Sequence, residues 1–192
     1  MNAPLLDRRD FVRDILKSRG DLVVVSGLGS PTFDVAAAGD HPLNFYVWGA
    51  MGGAAMIGLG LALARPGRRV AVVTGDGEML MGLGSFATIG VKQPHNLAIV
   101  VLDNGHYAET GMQPTHTLAG VDLAAVALAC RFKAARTVSR AGEAAEVRDL
   151  LHAGEGPLLV AARIKAEEVP RVLPPRDGHA LKQRFVAALA AL

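Results

Sequence analysis

The chain has 192 residues, 51% of them hydrophobic, with 20 Lys and Arg against 18 Asp and Glu and a pI near 8.9. That length and apolar content support one good core and a single domain spanning residues 1–192. A net charge of +2 and nine aromatic residues (one Trp, two Tyr, six Phe), with no basic run interleaved among them, argue against a nucleic-acid partner.

Residues 1–10 contain no long apolar run and do not read as a leader peptide. From Asp7 to Arg19 apolar and charged residues alternate at helical spacing, with Asp7 as N-cap and Gly20 at the stop. Asp21–Val25 reads as a first strand and leads into the glycine-rich loop Ser26-Gly27-Leu28-Gly29-Ser30-Pro31 and a short helix over Thr32–Ala38. No charged residue falls between Pro42 and Ala64, a stretch long enough for a membrane segment. Its glycines and its strand-like start, Asn44–Val47, instead predict strand, turn and a buried helix over Gly52–Ala64, so no membrane partner is expected. Strand Arg69–Thr74, helix Met81–Val91, strand Asn96–Leu102 and a long loop from Asp103 to Gly120 follow. Helix Asp122–Ala129 comes next, and Cys130 beyond it reads as a buried thiol. As the sole cysteine it excludes an internal disulfide and fits a reducing, cytoplasmic setting. Strand Ala134–Val138, helix Gly142–His152, strand Pro157–Ile164, a proline-rich connection over Val169–Pro175 and a C-terminal helix complete the chain. The alternation predicts an α/β fold of six strands in one mostly parallel sheet, with helices on both faces.

Two of these strands end in residues with chemistry. Gly75-Asp76-Gly77 follows Arg69–Thr74, and Asn104 follows Asn96–Leu102, with 26 residues between Gly77 and Asn104. Both strands are β-branched runs of the fully buried, parallel kind. Open α/β sheets bind ligands at the carboxyl ends of their strands. Asp76 and Asn104 offer hard oxygen ligands, which suit Mg²⁺ or Ca²⁺ better than zinc. A cation held there, with free backbone N–H groups beside it, can seat a diphosphate. The Gly27-Leu28-Gly29 loop lacks the third glycine and the acidic strand end of a dinucleotide fingerprint.

With its Gly-Asp-Gly and Asn so placed, the chain resembles the thiamine-diphosphate enzymes. Gly75–Gly90 and Val101–His116 are similar to the diphosphate-binding half of the 2-oxoacid decarboxylases of sulfopyruvate and phosphonopyruvate type. The resemblance runs from about residue 20 to about residue 165. It implies thiamine diphosphate and Mg²⁺ as cofactors, with Asp76, Asn104 and the His106 backbone carbonyl as metal ligands. Gly75, Gly77 and Glu78 would surround the diphosphate, with Gly29 and Ser30 as further contacts. Gly49-Ala50-Met51-Gly52 resembles the family's turn in which the first glycine's carbonyl takes the cofactor's amino group. There the large apolar residue, here Met51, wedges between its two rings and keeps the cofactor bent. The loop from Tyr107 to His116 would be a substrate-side lid, where Glu109, Thr110, Gln113, Thr115 and His116 could hydrogen-bond an acidic substrate. Gly111-Met112-Gln113 stands where these decarboxylases often carry Gly-Gly-Gln.

The resemblance also implies a pyrimidine-binding domain that supplies an essential glutamate, and one sheet consumes this chain. A separate pyrimidine-binding subunit of similar size is therefore expected, in an even-numbered hetero-oligomer acting on a small anionic 2-oxoacid. Three alternatives stand beside this reading: an acetolactate-synthase-like carboligase subunit, a non-catalytic cofactor-binding module, and a nucleotide-binding α/β domain.

Overall fold

The computed structural model describes residues 5–192. Residues 1–4, part of the segment read as carrying no leader, lie outside the described residues. The strands are β1 (Val23–Ser26), β2 (Asn44–Tyr46), β3 (Val70–Gly75), β4 (Leu97–Asp103), β5 (His106–Tyr107), β6 (Gln113–Pro114), β7 (Ala134–Val138) and β8 (Leu158–Arg163). The α-helices are α1 (Arg8–Ile15), α2 (Ser30–Ala37), α3 (Ala54–Ala64), α4 (Asp76–Met81), α5 (Ser85–Lys92), α6 (Leu123–Ala129), α7 (Ala144–Ala153) and α8 (Gly178–Ala190). Six strands form one sheet in the order β2-β1-β3-β4-β8-β7, and every neighbouring pair is parallel. The predicted α/β class holds, and the sheet is wholly rather than mostly parallel.

The β-branched strands alternate their side chains between two apolar layers. Val24, Ala71, Val73, Val100 and Val160 face α1, α2 and α7 through Phe11, Val12, Ile15, Val35, Val147 and Leu151. Val25, Val70, Val72, Ile99 and Val101 face α3, α5, α6 and α8 through Ala55, Leu59, Phe86, Ile89, Leu123 and Phe185. A strand covered on both faces is apolar at every position, which is why β4 is buried throughout.

Four readings change. The predicted helix Met81–Val91 is two helices, α4 and α5, broken at Gly82–Gly84, and α4 begins at Asp76 itself. A Cβ on Gly82 would stand 2.3 Å from the Gly52 carbonyl oxygen, so close backbone approach excludes a side chain there. The long loop after β4 is partly ordered as the antiparallel pair β5–β6, with Tyr107 opposite Gln113. Cys130 is half-buried at the C-cap of α6 rather than a core thiol. Finally, α1 stops at Ile15, because Ser18 and Gly20 both take positive φ. The uncharged stretch 42–64 folds as β2 and the eleven-residue α3. No helix among the described residues is long and apolar enough to cross a membrane.

Candidate functional site

From β1 the chain moves outward to β2, then returns to place β3 on the other side of β1. The strand order reverses between β1 and β3, and a crevice opens beyond their carboxyl ends, where such sheets bind ligands. The segments after β1, β3 and β4 meet there and wall a cleft enclosing about 590 Å³ of open space. Its lining includes Leu28 and Ser30, Gly75 to Glu78, Asn104 to Thr110 without Gly105, the Met51 side of the α3 turn, and Arg8 from α1.

Asp76 follows Gly75 directly, so the end of β3 sets its position, and it is 2% exposed. Its side-chain hydrogen bonds all go to Oδ2, from Thr115 Oγ1 at 2.5 Å and Thr117 Oγ1 at 3.2 Å. That leaves Oδ1 without a side-chain partner. Thr117 has one hydroxyl proton, which lies between Asp76 Oδ2 and the nearer Asp103 Oδ1, at 2.8 Å, and ties the two carboxylates together. Asp103 Oδ2 takes Arg163 Nη1 at 2.6 Å. Burial pushes the Asp76 carboxyl up from its ordinary value; the Thr115 bond opposes that, and the Asp103 charge adds to it. Two buried carboxylates side by side, with one guanidinium and that one on Asp103, favour a cation in the remaining space beside Asp76.

Asn104 Oδ1 accepts the His106 N–H at 2.9 Å, and the His106 ring turns back to the Asn104 carbonyl, with Nδ1 at 2.8 Å. This tight turn passes through Gly105 at φ +70°, under the Leu118 side chain. Gly77 is needed for a different approach than a ligand's, since a Cβ there would lie 2.6 Å from the Tyr107 ring. That ring locks the β5–β6 pair onto the start of α4.

Glu78 is 5% exposed and joins the end of β3 to the loop after β1 and the turn before α3. Its Oε2 accepts from Thr74 Oγ1 at 2.8 Å and fills the space a Cβ on Gly27 would need. Its Oε1 is buried with no hydrogen-bond partner, although the Ala54, Leu28 and Gly52 amides face the carboxylate. Burial pushes its pKa up, and the Thr74 bond and those amides pull it back.

Ser30, Met51, Gly75, Asp76, Gly77, Glu78, Asn104, His106, Glu109 and Thr110 therefore come together in one cleft. Gly29 lies beneath Glu109 at φ +73°, the conformation its loop requires, and Gly49 is in open space before Met51. Gln113 and His116 lie off the cleft wall. Gln113 exchanges hydrogen bonds with Thr110 at the tip of the β5–β6 pair, and His116 sits by Met81 and Val121. Thr115 faces Asp76 rather than open cleft. Thr117, Tyr107 and Arg8 are site residues beyond those expected from the sequence. The alternation Thr115-His116-Thr117 could have signalled two hydroxyls on one side; nothing local signals Arg8.

The donor set is hard oxygen, and no group of three or more His, Cys, Asp or Glu gathers among the described residues to hold a metal by itself. A divalent cation that brings phosphate oxygens of its own fits such an incomplete set. Fold and cleft define the class: an open parallel α/β domain whose ligand crevice lies at the switch point of its sheet. Residues 27–162 match the family described as thiamine pyrophosphate enzyme, C-terminal TPP binding domain. The chain is 42% identical over 159 residues to phosphonopyruvate decarboxylase from Streptomyces viridochromogenes, covering 80% of this chain and 40% of that protein. It is 34% identical over 189 residues to sulfopyruvate decarboxylase subunit beta from Methanocaldococcus jannaschii, covering 95% of this chain and 96% of that subunit. The crystal structure of benzoylformate decarboxylase from Polynucleobacter necessarius shares the fold, with TM-score 0.71, 21% identity and coverage of 88% of this chain and 36% of that one. This chain belongs to the thiamine pyrophosphate enzymes, and its matched region is their thiamine-pyrophosphate-binding domain.

Proposed function

We propose that this chain is the diphosphate-binding subunit of a thiamine-diphosphate- and Mg²⁺-dependent 2-oxoacid decarboxylase, with a short 2-oxoacid bearing a second acidic group as substrate. A separate pyrimidine-binding subunit would complete the active site and bring the glutamate this half lacks. The observation that carries the reading is the switch-point cleft with Asp76 and Asn104 on its wall, in a chain co-extensive with a sulfopyruvate decarboxylase subunit beta.

Bound thiamine diphosphate supplies an electron sink for the carbon from which CO₂ departs. This chain's own residues then have distinct tasks. Asp76, Asn104 and the His106 carbonyl would hold the metal, with the two threonines fixing the Asp76 carboxylate. Met51 would pack against the cofactor's rings, and the Gly49 carbonyl would accept from its amino group. Glu109 and Thr110 line the mouth through which an acidic substrate enters.

The test is purification from the native host with a tag on this chain, followed by assay of what co-purifies. The expected result is a second chain in equal amount and Mg²⁺-dependent CO₂ release from sulfopyruvate or phosphonopyruvate, unchanged by an acceptor aldehyde. Saturating thiamine diphosphate with Mg²⁺, at about 100 times its dissociation constant, is expected to stabilise by about 2.7 kcal/mol. That corresponds to a melting shift of roughly 5–11 °C for a chain this size. A shift with ATP or NAD and none with thiamine diphosphate overturns the reading.

A further inference from the structure

Arg8 opens α1, and the sequence presents it as one more charge on an amphipathic helix. Its fold position is different: it is 2% exposed, yet it forms part of the cleft wall with Ser30, Asp76 and Asn104. Among the described residues its hydrogen bonding runs only through Nε, to Asp34 Oδ2 at 2.7 Å. The two terminal nitrogens of the guanidinium have no protein acceptor there. Arg9 takes the other Asp34 oxygen at 2.6 Å and spends its Nη2 on the Pro170 carbonyl. One buried carboxylate thus faces two guanidinium groups, and the cluster keeps an excess positive charge. The pairing with Asp34 leaves one guanidinium in excess, and an anion in the cleft beside Arg8 would balance it.

The cleft decides which anion. Arg8 is its only cationic wall residue among the described residues. Arg171, nearby, is exposed, pairs with Glu109 at 3.5 Å and lies over the Phe33 ring. α1 packs on the sheet face that carries α2 and α7, whereas Met51 precedes α3 on the opposite face. Arg8 and Met51 therefore reach the cleft from opposite faces of the sheet, with Asp76 and Asn104, the proposed cation ligands, on its wall. If Met51 supports the rings, Arg8 stands at the phosphate end. A planar guanidinium fork matches two phosphate oxygens and is stronger than a neutral donor pair.

We propose that Arg8 is a binding residue for the cofactor's diphosphate, donating through its two terminal nitrogens while Asp34 holds Nε and fixes the fork. The inference rests on the reading of the cleft as a thiamine diphosphate site. It assigns to the N-terminal helix a contact lying outside the family-matched region 27–162.

The test is calorimetric titration of the full chain, in the assembly it purifies as, with Mg²⁺ present and three probes: thiamine diphosphate, inorganic pyrophosphate and thiamine. Arg8→Gln is expected to weaken both diphosphate probes about tenfold or more and to leave thiamine unchanged. Arg8→Lys, which keeps the charge and loses the fork, falls between. Arg9→Gln, which removes the neighbouring guanidinium, stays within twofold of the parent. Should Arg8→Gln fail to fold, the paired change Arg8→Gln with Asp34→Asn removes both buried partners and gives the same readout. Undiminished pyrophosphate affinity in either variant overturns the proposal. A variant that keeps pyrophosphate but loses affinity for a sulfonate- or phosphonate-bearing 2-oxoacid also overturns it, and moves Arg8 to the substrate. If the parent chain binds pyrophosphate and not thiamine diphosphate, the cofactor reading fails instead.

Discussion

As the proposed metal ligand, Asp76 is held for what Oδ1, which has no side-chain partner, would do rather than for what the carboxylate adds to the fold. Burial raises its pKa, Asp103 raises it further, and the threonine bonds only partly compensate. Holding a carboxylate in that setting costs stability, a cost that functional residues commonly carry. Asp76→Asn keeps an oxygen for Thr115 and Thr117 and removes the buried charge. The expected outcome is a loss of Mg²⁺–thiamine diphosphate affinity of about a hundredfold or more, beyond the typical cost of losing an outer partner of a metal site. The ligand-free protein is expected to melt no lower than the parent. Calorimetry checks both; intact affinity with a much lower melting temperature would make Asp76 a structural residue. The motif residues were legible because their chemistry is local, a carboxylate and a carboxamide each one step beyond a buried strand. Thr117 was not, because its partner Asp76 is 41 positions away in the chain.

At the scale of elements, the start of α1 carries a testable prediction of its own. Asp7 caps the helix by accepting the Arg9 and Asp10 amides, as its place before the amphipathic run predicts. The Asp10 amide is the main cause holding the Asp7 carboxyl below its ordinary value; partial burial works against it, and Lys165 and the Arg9 amide add to the lowering. A carboxyl depressed in the folded state contributes stability above its unfolded pKa and loses it as pH falls through the folded value. Asp7→Ala is therefore expected to cost about 0.5–2 kcal/mol at neutral pH. The gap between variant and parent closes below about pH 4. Denaturant titrations at pH 7 and pH 3 measure this, and an equal gap at both would remove the cap's charge from the account. Caps, strands and most helices were readable because they depend on neighbours three or four residues away. The break between α4 and α5 was not, because it answers to Gly52, thirty positions earlier, pressing its backbone on Gly82.

Across the whole molecule, α3 is the element the fold leaves least explained. It is apolar all round, burying Ala55, Gly58, Leu59 and Ala62 while Met56, Gly60 and Leu63 form a stripe on the outside. Met56 and Leu63 are 41% and 48% exposed, and Met51 and Met81 lie exposed on neighbouring segments. A helix of that kind fits a covered surface, and the proposed pyrimidine-binding subunit is the occupant consistent with a cleft whose ring end lies beside α3. Changing Met56 and Leu63 together to Glu is expected to abolish co-purification of the second chain while shifting the melting temperature of this chain by no more than about 2 °C, the effect of an exposed substitution. Retention of the partner by the double variant would move the interface elsewhere.

Periodicity and punctuation alone determined the α/β class, the order along the chain of the six strands of the main sheet, and the two strand-end positions that carry Asp76 and Asn104. These follow from burial of β-branched runs and from hydrogen bonds between near neighbours, both of which act within a few residues. Only the tertiary structure decided which segments share the cleft. It brought Arg8 beside Asp34, Thr115 and Thr117 beneath Asp76, the Tyr107 ring against Gly77, and Glu78 to the loop after β1 and the turn before α3. Each of those contacts joins groups far apart in sequence, and their closeness is set by the packing of helices on a twisted sheet, which no local pattern encodes.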